Sequence, residues 1–150
     1  MTTIQINSTD TAGSTLVYSP PDDFGNGAVG SNSFGTDFSG YKFYTHEITE
    51  TTTFTFTDSG GTGKDYSDNE KFLARITSPV GSTMKITGTI ETEELYDYIT
   101  IYDGDTPTST AFEGFTDASG SKTISDEDAL ESTGNHIFFK FTSDNSQTRT

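Results

Sequence analysis

The sequence predicts an all-β fold, a sandwich or barrel of short strands, on three observations. Turn-forming residues punctuate the chain at intervals of roughly ten residues. The segments between them alternate with period two and favour Ile, Thr, Phe and Tyr, while Ala, Leu and Lys are scarce. Only 29% of residues are hydrophobic, yet 13% are aromatic, with 12 Phe and 7 Tyr. Each buried ring removes much area from water, so a sparse set of rings suits a thin two-sheet core. A length of 150 residues suits one domain with a short extra segment.

Residues 1–50 alternate weakly. Ile4 and Ile6, then Leu16 and Tyr18, then Tyr41, Phe43 and Ile48 predict two or three short strands. From Pro20-Pro21 to Gly40 the chain is rich in turn formers and predicts a long loop, tethered by Phe24, Phe34 and Phe38. Residues 1–51 are therefore expected to form an N-terminal extension of strands and loop that docks on a neighbour, and residues 52–150 the sandwich. Thr53 to Thr57 alternates as a half-buried strand should, and Asp58 to Gly63 is a turn. Phe72 to Ile76 is the next strand, ended by Ser78-Pro79-Val80-Gly81. Met84, Ile86 and Ile90 share a parity and mark another. Tyr96 to Tyr102 alternates most regularly and stops at Asp103-Gly104. Phe112 and Phe115 mark a short strand, Ile124 a further one, and residues 126–131 fit a single helical turn. Ile137 to Phe141 closes the series.

The formal charge is −15, from 23 acids against 8 bases. Nucleic acid and anionic membrane surfaces need basic patches, so neither is the expected partner. There is no cysteine, which excludes disulfides and thiolate metal sites. No apolar run approaches the roughly 20 residues of a membrane-spanning helix. The N-terminus, Met-Thr-Thr-Ile-Gln-Ile, lacks the basic and apolar regions of a secretory signal. Two expectations follow: either the sequence has been trimmed of its leader, or the protein is made in a cytoplasm and reaches the outside by another route.

Within Tyr96 to Gly104, Asp97 has the parity of Ile99 and Ile101 and so faces the side those two bury. A carboxylate pointing inward at the rim of a sandwich needs compensation. The neighbourhood supplies Glu91, Glu93 and Glu94 rather than bases. Clustered carboxylates either take up protons or share a cation, and calcium accepts about six to eight hard oxygens in loose geometry. Ser143-Asp144-Asn145-Ser146 follows the last apolar strand directly. If that strand runs antiparallel beside Tyr96–Tyr102, its C-terminal end meets the other's start and Asp144 approaches Asp97. Taken alone, Asp144 is equally a residue that turns favour.

Asp58-Ser59-Gly60-Gly61, Tyr66-Ser67-Asp68-Asn69-Glu70, and Ile76 with Pro79 and Gly81 resemble the opening of a bacterial CUB domain. Tyr96-Asp97-Tyr98-Ile99-Thr100-Ile101-Tyr102-Asp103-Gly104 resembles the family's most recognisable strand. Asn135 to Phe141 with Ser143-Asp144 resembles its last core strand and second acidic point. The resemblance covers residues 52–150. It implies a jelly-roll-like β-sandwich of two antiparallel sheets that binds proteins or sugars, with calcium held by one Glu and two Asp. Carried over by position, the aspartates are Asp97 and Asp144, the glutamate is Glu91 with Glu93 in reserve, and oxygens near Asn145 and Ser146 complete the shell. The disulfides of animal members are absent, as suits a microbial or viral version. The family's final strand is also missing before Arg149-Thr150, so the resemblance leaves truncation, residues 1–50 or a neighbouring subunit to account for it.

His46 and His136 lie far apart without catalytic partners, and no metalloprotease, nucleophile-elbow or phosphate-loop motif is present. Gly60 to Lys64 lacks the spacing and helix of a phosphate loop. The expected function is therefore non-enzymatic: a calcium-binding virion component, such as a head decoration, fibre or attachment protein, in a homo-oligomer or larger assembly. The alternative is an extracellular accessory module binding protein or carbohydrate, with Tyr18, Tyr41 and Tyr44 as candidate sugar platforms. A hydrolase ranks below both.

Overall fold

In the computed structural model the chain forms two β-sheets packed face to face. The structure describes residues 2–9, 17–18, 22–49, 52–61 and 64–146. Leu16, Pro20-Pro21, Thr62-Gly63 and Arg149-Thr150, named above, lie outside them.

The strands in chain order are β1 (Thr3–Thr9), β2 (Val17–Tyr18), β3 (Asp22–Asp23), β4 (Ala28–Val29), β5 (Lys42–Glu47) and β6 (Thr52–Thr57). They continue as β7 (Lys71–Thr77), β8 (Thr83–Glu91), β9 (Tyr98–Asp103), β10 (Thr110–Ala111), β11 (Ser121–Ile124), β12 (Leu130–Glu131) and β13 (His136–Thr142). The first sheet runs β11-β8-β1-β6-β2, with β12 also on β8 and β3 also on β6. The second runs β10-β9-β13-β7-β5-β4.

Most pairs are antiparallel, but β5 runs parallel to β7, and β2 and β3 run parallel to β6. The sheets are thus mixed, where purely antiparallel ones were expected. The chain leaves β5, crosses to the first sheet as β6, and returns as β7 in the direction of β5. A parallel pair needs such a crossover, whereas a hairpin yields an antiparallel one.

Strands from residues 1–51 stand in both sheets beside those of residues 52–150. β1 lies between β6 and β8, with Ile4 opposite Phe56 and Gly88, and Ile6 opposite Phe54 and Ile86. Gly88 is needed at this contact, since a Cβ there would stand 2.2 Å from the Thr3 carbonyl oxygen. β5 pairs along its length with β7.

Ile4, Ile6, Phe56, Met84 and Ile86 from one sheet meet Phe72, Ile76, Ile99, Ile101, Ile137 and Phe139 from the other. Phe24, from the single turn of 3-10 helix Phe24–Asn26, inserts among them, with ring centroids 5.1 Å from Phe56 and 4.6 Å from Phe139. A second cluster of Phe43, Leu73, Tyr102 and Phe138 forms on the outer face of the second sheet. Phe34, Phe38 and Tyr41 pack against it. The long loop is therefore tethered twice, by Phe24 inside and by Phe34 and Phe38 outside. This explains why Ile137-Phe138-Phe139 reads as a continuous apolar run: the strand is covered on both faces.

Three expected elements differ. β9 begins at Tyr98 rather than Tyr96, because residues 94–96 form a turn with Leu95 in the left-handed region at φ 72°. Phe112 and Phe115 are not a strand; the strand is Thr110–Ala111, and the Phe115 N–H closes a turn on the Phe112 carbonyl. Residues 126–131 form no helical turn, and Leu130–Glu131 is instead a short strand on β8.

Candidate metal centre

β13 lies between β7 and β9 and runs antiparallel to both. Its register sets Phe141 opposite Ile99 and Thr142 opposite Tyr98. Extending each strand past this pair brings Asp97 and the Ser143-Asp144 step together at one rim of the sandwich. Period two turns Asp97 to the side of Ile99 and Ile101, and it is fully buried, with 0% of its surface exposed.

The two oxygens of Asp97 are held separately. The Tyr66 hydroxyl donates to Oδ2, and the Asp144 backbone N–H donates to Oδ1 at 2.8 Å. The same Tyr66 hydroxyl accepts from the Glu93 N–H at 3.0 Å. Residues 93–97 form a turn in which the N–H groups of Tyr96 and Asp97 both donate to the Glu93 carbonyl, at 3.3 and 3.0 Å. This turn folds Glu93 back beside Asp97. One carboxylate oxygen from each of Glu93, Asp97 and Asp144 lies within 4.8 Å of the others.

Asp144 is fixed from the far side by the loop before β7. The Asn69 N–H donates to the Asp144 carbonyl at 2.6 Å. The Ser143 hydroxyl donates to the Ser67 carbonyl and accepts from the Glu70 N–H, each at 2.8 Å. The Asp144 carboxylate accepts the Ser146 N–H at 2.8 Å, an Asx turn that orients it. Neither Asp97 nor Asp144 forms an ion pair among the described residues, whose salt bridges join Lys85 to Asp126 and Lys140 to Asp117.

The structure thus brings together Asp97, Asp144 and the reserve glutamate Glu93. Glu91 stands outside the group. It ends β8 one residue beyond the inward-facing Ile90, so its side chain takes the opposite parity. Its backbone pairs with Ser121, and its N–H donates to the Thr2 hydroxyl. Asn145 is exposed in the turn that follows β13. Parity along Met84, Ile86 and Ile90 was the signal that disfavours Glu91. Tyr66 and Ser143, which build the rim, carried no signal beyond their place in the motifs.

Two oxygens bound to one calcium at ~2.4 Å stand no more than ~4.8 Å apart, which the three carboxylates meet. Each Asp97 oxygen accepts one hydrogen bond in the structure and keeps a lone pair for a cation. The donor set is entirely hard oxygen, which suits calcium and not a soft metal.

Three carboxyls outside this group are shifted by burial. Asp58 is pushed above the ordinary carboxylate range by burial, against the opposing hydrogen bonds from the Thr2 and Gly60 N–H groups. Burial also pushes Glu70 and Asp23 up.

Among the described residues no helix is long and apolar enough to cross a membrane. No protein-family model matches this chain, and no curated protein matches it.

Proposed function

We propose that this chain is a non-enzymatic calcium-binding module of the CUB kind, serving as a structural protein of a virion, in a head decoration, fibre or attachment assembly. The observation that carries the calcium reading is the convergence of Glu93, Asp97 and Asp144 at one rim. Their side chains hold the ion, and carbonyl oxygens of the Asn145-Ser146 turn complete its shell. Bound calcium supplies positive charge where three carboxylates meet and ties the start of β9 to the end of β13.

The non-enzymatic reading is supported by the histidines. His46 is buried, hydrogen-bonded to the Phe24 carbonyl at 3.0 Å and set edge-on to Phe56. His136 pairs with the Thr77 hydroxyl at 3.1 Å. Both contacts are structural. The virion reading is supported by a cysteine-free sandwich that needs no oxidation to fold.

Thermal melting of chelated protein with and without calcium tests the module. A rise with calcium, and none with equal magnesium, supports it; the same curve in all three conditions refutes it. Mass spectrometry of purified particles tests the assignment to a virion, which the protein's absence from them would overturn.

A further inference from the structure

β4 is a border of the second sheet and pairs with β5 on one side only. Ala28 lies opposite Thr45 and Val29 opposite Tyr44, and the Gly30 N–H extends the ladder with a bond of 2.9 Å to the Phe43 carbonyl. In an antiparallel ladder, successive residues turn their backbone groups to alternate sides. Gly30 faces β5, so the N–H and C=O of Val29 point the other way, to the open border.

An open border is a template for another strand, and native sheets guard it with charge, proline or cover. Beyond β2, whose surroundings lie outside the described residues, the other short border strands are guarded by charge. β3 is Asp22–Asp23, β11 carries Lys122, β12 carries Glu131, and β10 lies between Asp105 and Glu113. β4 has no such guard. Residues 24–36 hold no Asp, Glu, Lys or Arg and form the longest uncharged stretch in a chain of 23 acids and 8 bases. Ala28 and Val29 are both exposed, Val29 to 84%.

Charge selects the occupant. A strongly charged partner finds no counter-charge on this border. Two copies of this chain, each with a formal charge of −15, repel one another and approach at least cost where neither presents charge. A twofold axis at Val29 sets the same border of both copies antiparallel, the self-complementary contact of a C2 dimer. The two exposed valines then stand as a cross-strand pair and cover each other.

We propose that β4 pairs with β4 of a second copy, joining the two second sheets into one continuous sheet. This gives the proposed assembly a contact between copies, and it stands apart from the calcium reading because β4 shares no residue with the cation rim.

The test uses the whole chain in EDTA, so that failure of the calcium site does not bear on it. Sedimentation equilibrium at about 0.1 mM chain, above the micromolar Kd of a modest interface, is expected to give the mass of a dimer. Val29→Lys sets like charges opposite each other and should give a monomer with an unchanged circular dichroism spectrum. The chain has no cysteine, so single introduced cysteines report proximity. A hydrogen-bonded pair at Val29 places the Cα atoms about 5.5 Å apart, within the roughly 4.4–6.8 Å of a disulfide. Val29→Cys should therefore oxidise to a covalent dimer at least about tenfold faster than Val80→Cys, which replaces a valine 96% exposed in the turn between β7 and β8. A monomeric parent, a dimer that persists in Val29→Lys, or equal oxidation at the two positions overturns the proposal.

Discussion

Asp97 and Asp144, 47 positions apart, are joined directly: the backbone N–H of Asp144 donates to Asp97 Oδ1 at 2.8 Å. The bond closes the rim between β9 and β13, and it orients one buried carboxylate against the loop that carries the other. Tyr66 completes the arrangement from the opposite side, so the rim is built by side chains from three separate segments.

Tyr66→Phe should destabilise the chelated protein by about 1–3 kcal/mol, because the buried Asp97 Oδ2 loses its donor while the ring still packs on Phe141. Urea unfolding in EDTA measures it. An unchanged midpoint would mean that the hydroxyl contributes nothing to holding Asp97.

Phe24→Ala should cost about 3–5 kcal/mol, since it empties a position between Phe56 and Phe139 in the inter-sheet core. Phe34→Ala, which thins the outer cover over Phe43 and Phe138, should cost less, about 1–2 kcal/mol. Comparison of the two denaturation midpoints checks the order. Equal losses would contradict the assignment of one ring to the core and the other to its outer face.

Stability in EDTA should rise as the solution is acidified from neutral toward the carboxylate range. Burial raises Asp58, Glu70 and Asp23, so the folded state holds these protons more tightly than the unfolded chain does. Their contribution is fully present below the ordinary values of 3.8 for Asp and 4.5 for Glu, and it is lost as pH rises through the raised folded values. Acidification also relieves the self-repulsion of a chain with a formal charge of −15. Glu70→Gln should flatten the profile measured by melting temperature against pH; a parent protein most stable at neutral pH would contradict this account.

Much of the fold was legible because period two is written into the segments that became β6, β8 and β9, and continuous apolar runs mark β7 and β13, which are covered on both faces. The convergence of Asp97 and Asp144 was legible in part: parity fixed the face of Asp97, while the approach of Asp144 depended on an antiparallel pairing that the structure supplies between β9 and β13. What escaped depends on backbone geometry that residue type does not encode. The left-handed Leu95 shortens β9 and swings Glu93 beside Asp97, and no composition signal marks a leucine for that conformation. The placement of β1 between β6 and β8 rests on long-range pairing, which a short alternation such as Ile4 and Ile6 cannot specify by itself.

Anomalous diffraction from crystals grown with terbium in place of calcium tests the central claim most directly. The account predicts one strong peak at the rim, at about 2.3–2.6 Å from carboxylate oxygens of Glu93, Asp97 and Asp144, and its loss in Asp97→Ala. A peak only at other carboxylates, or none at this rim, would contradict it.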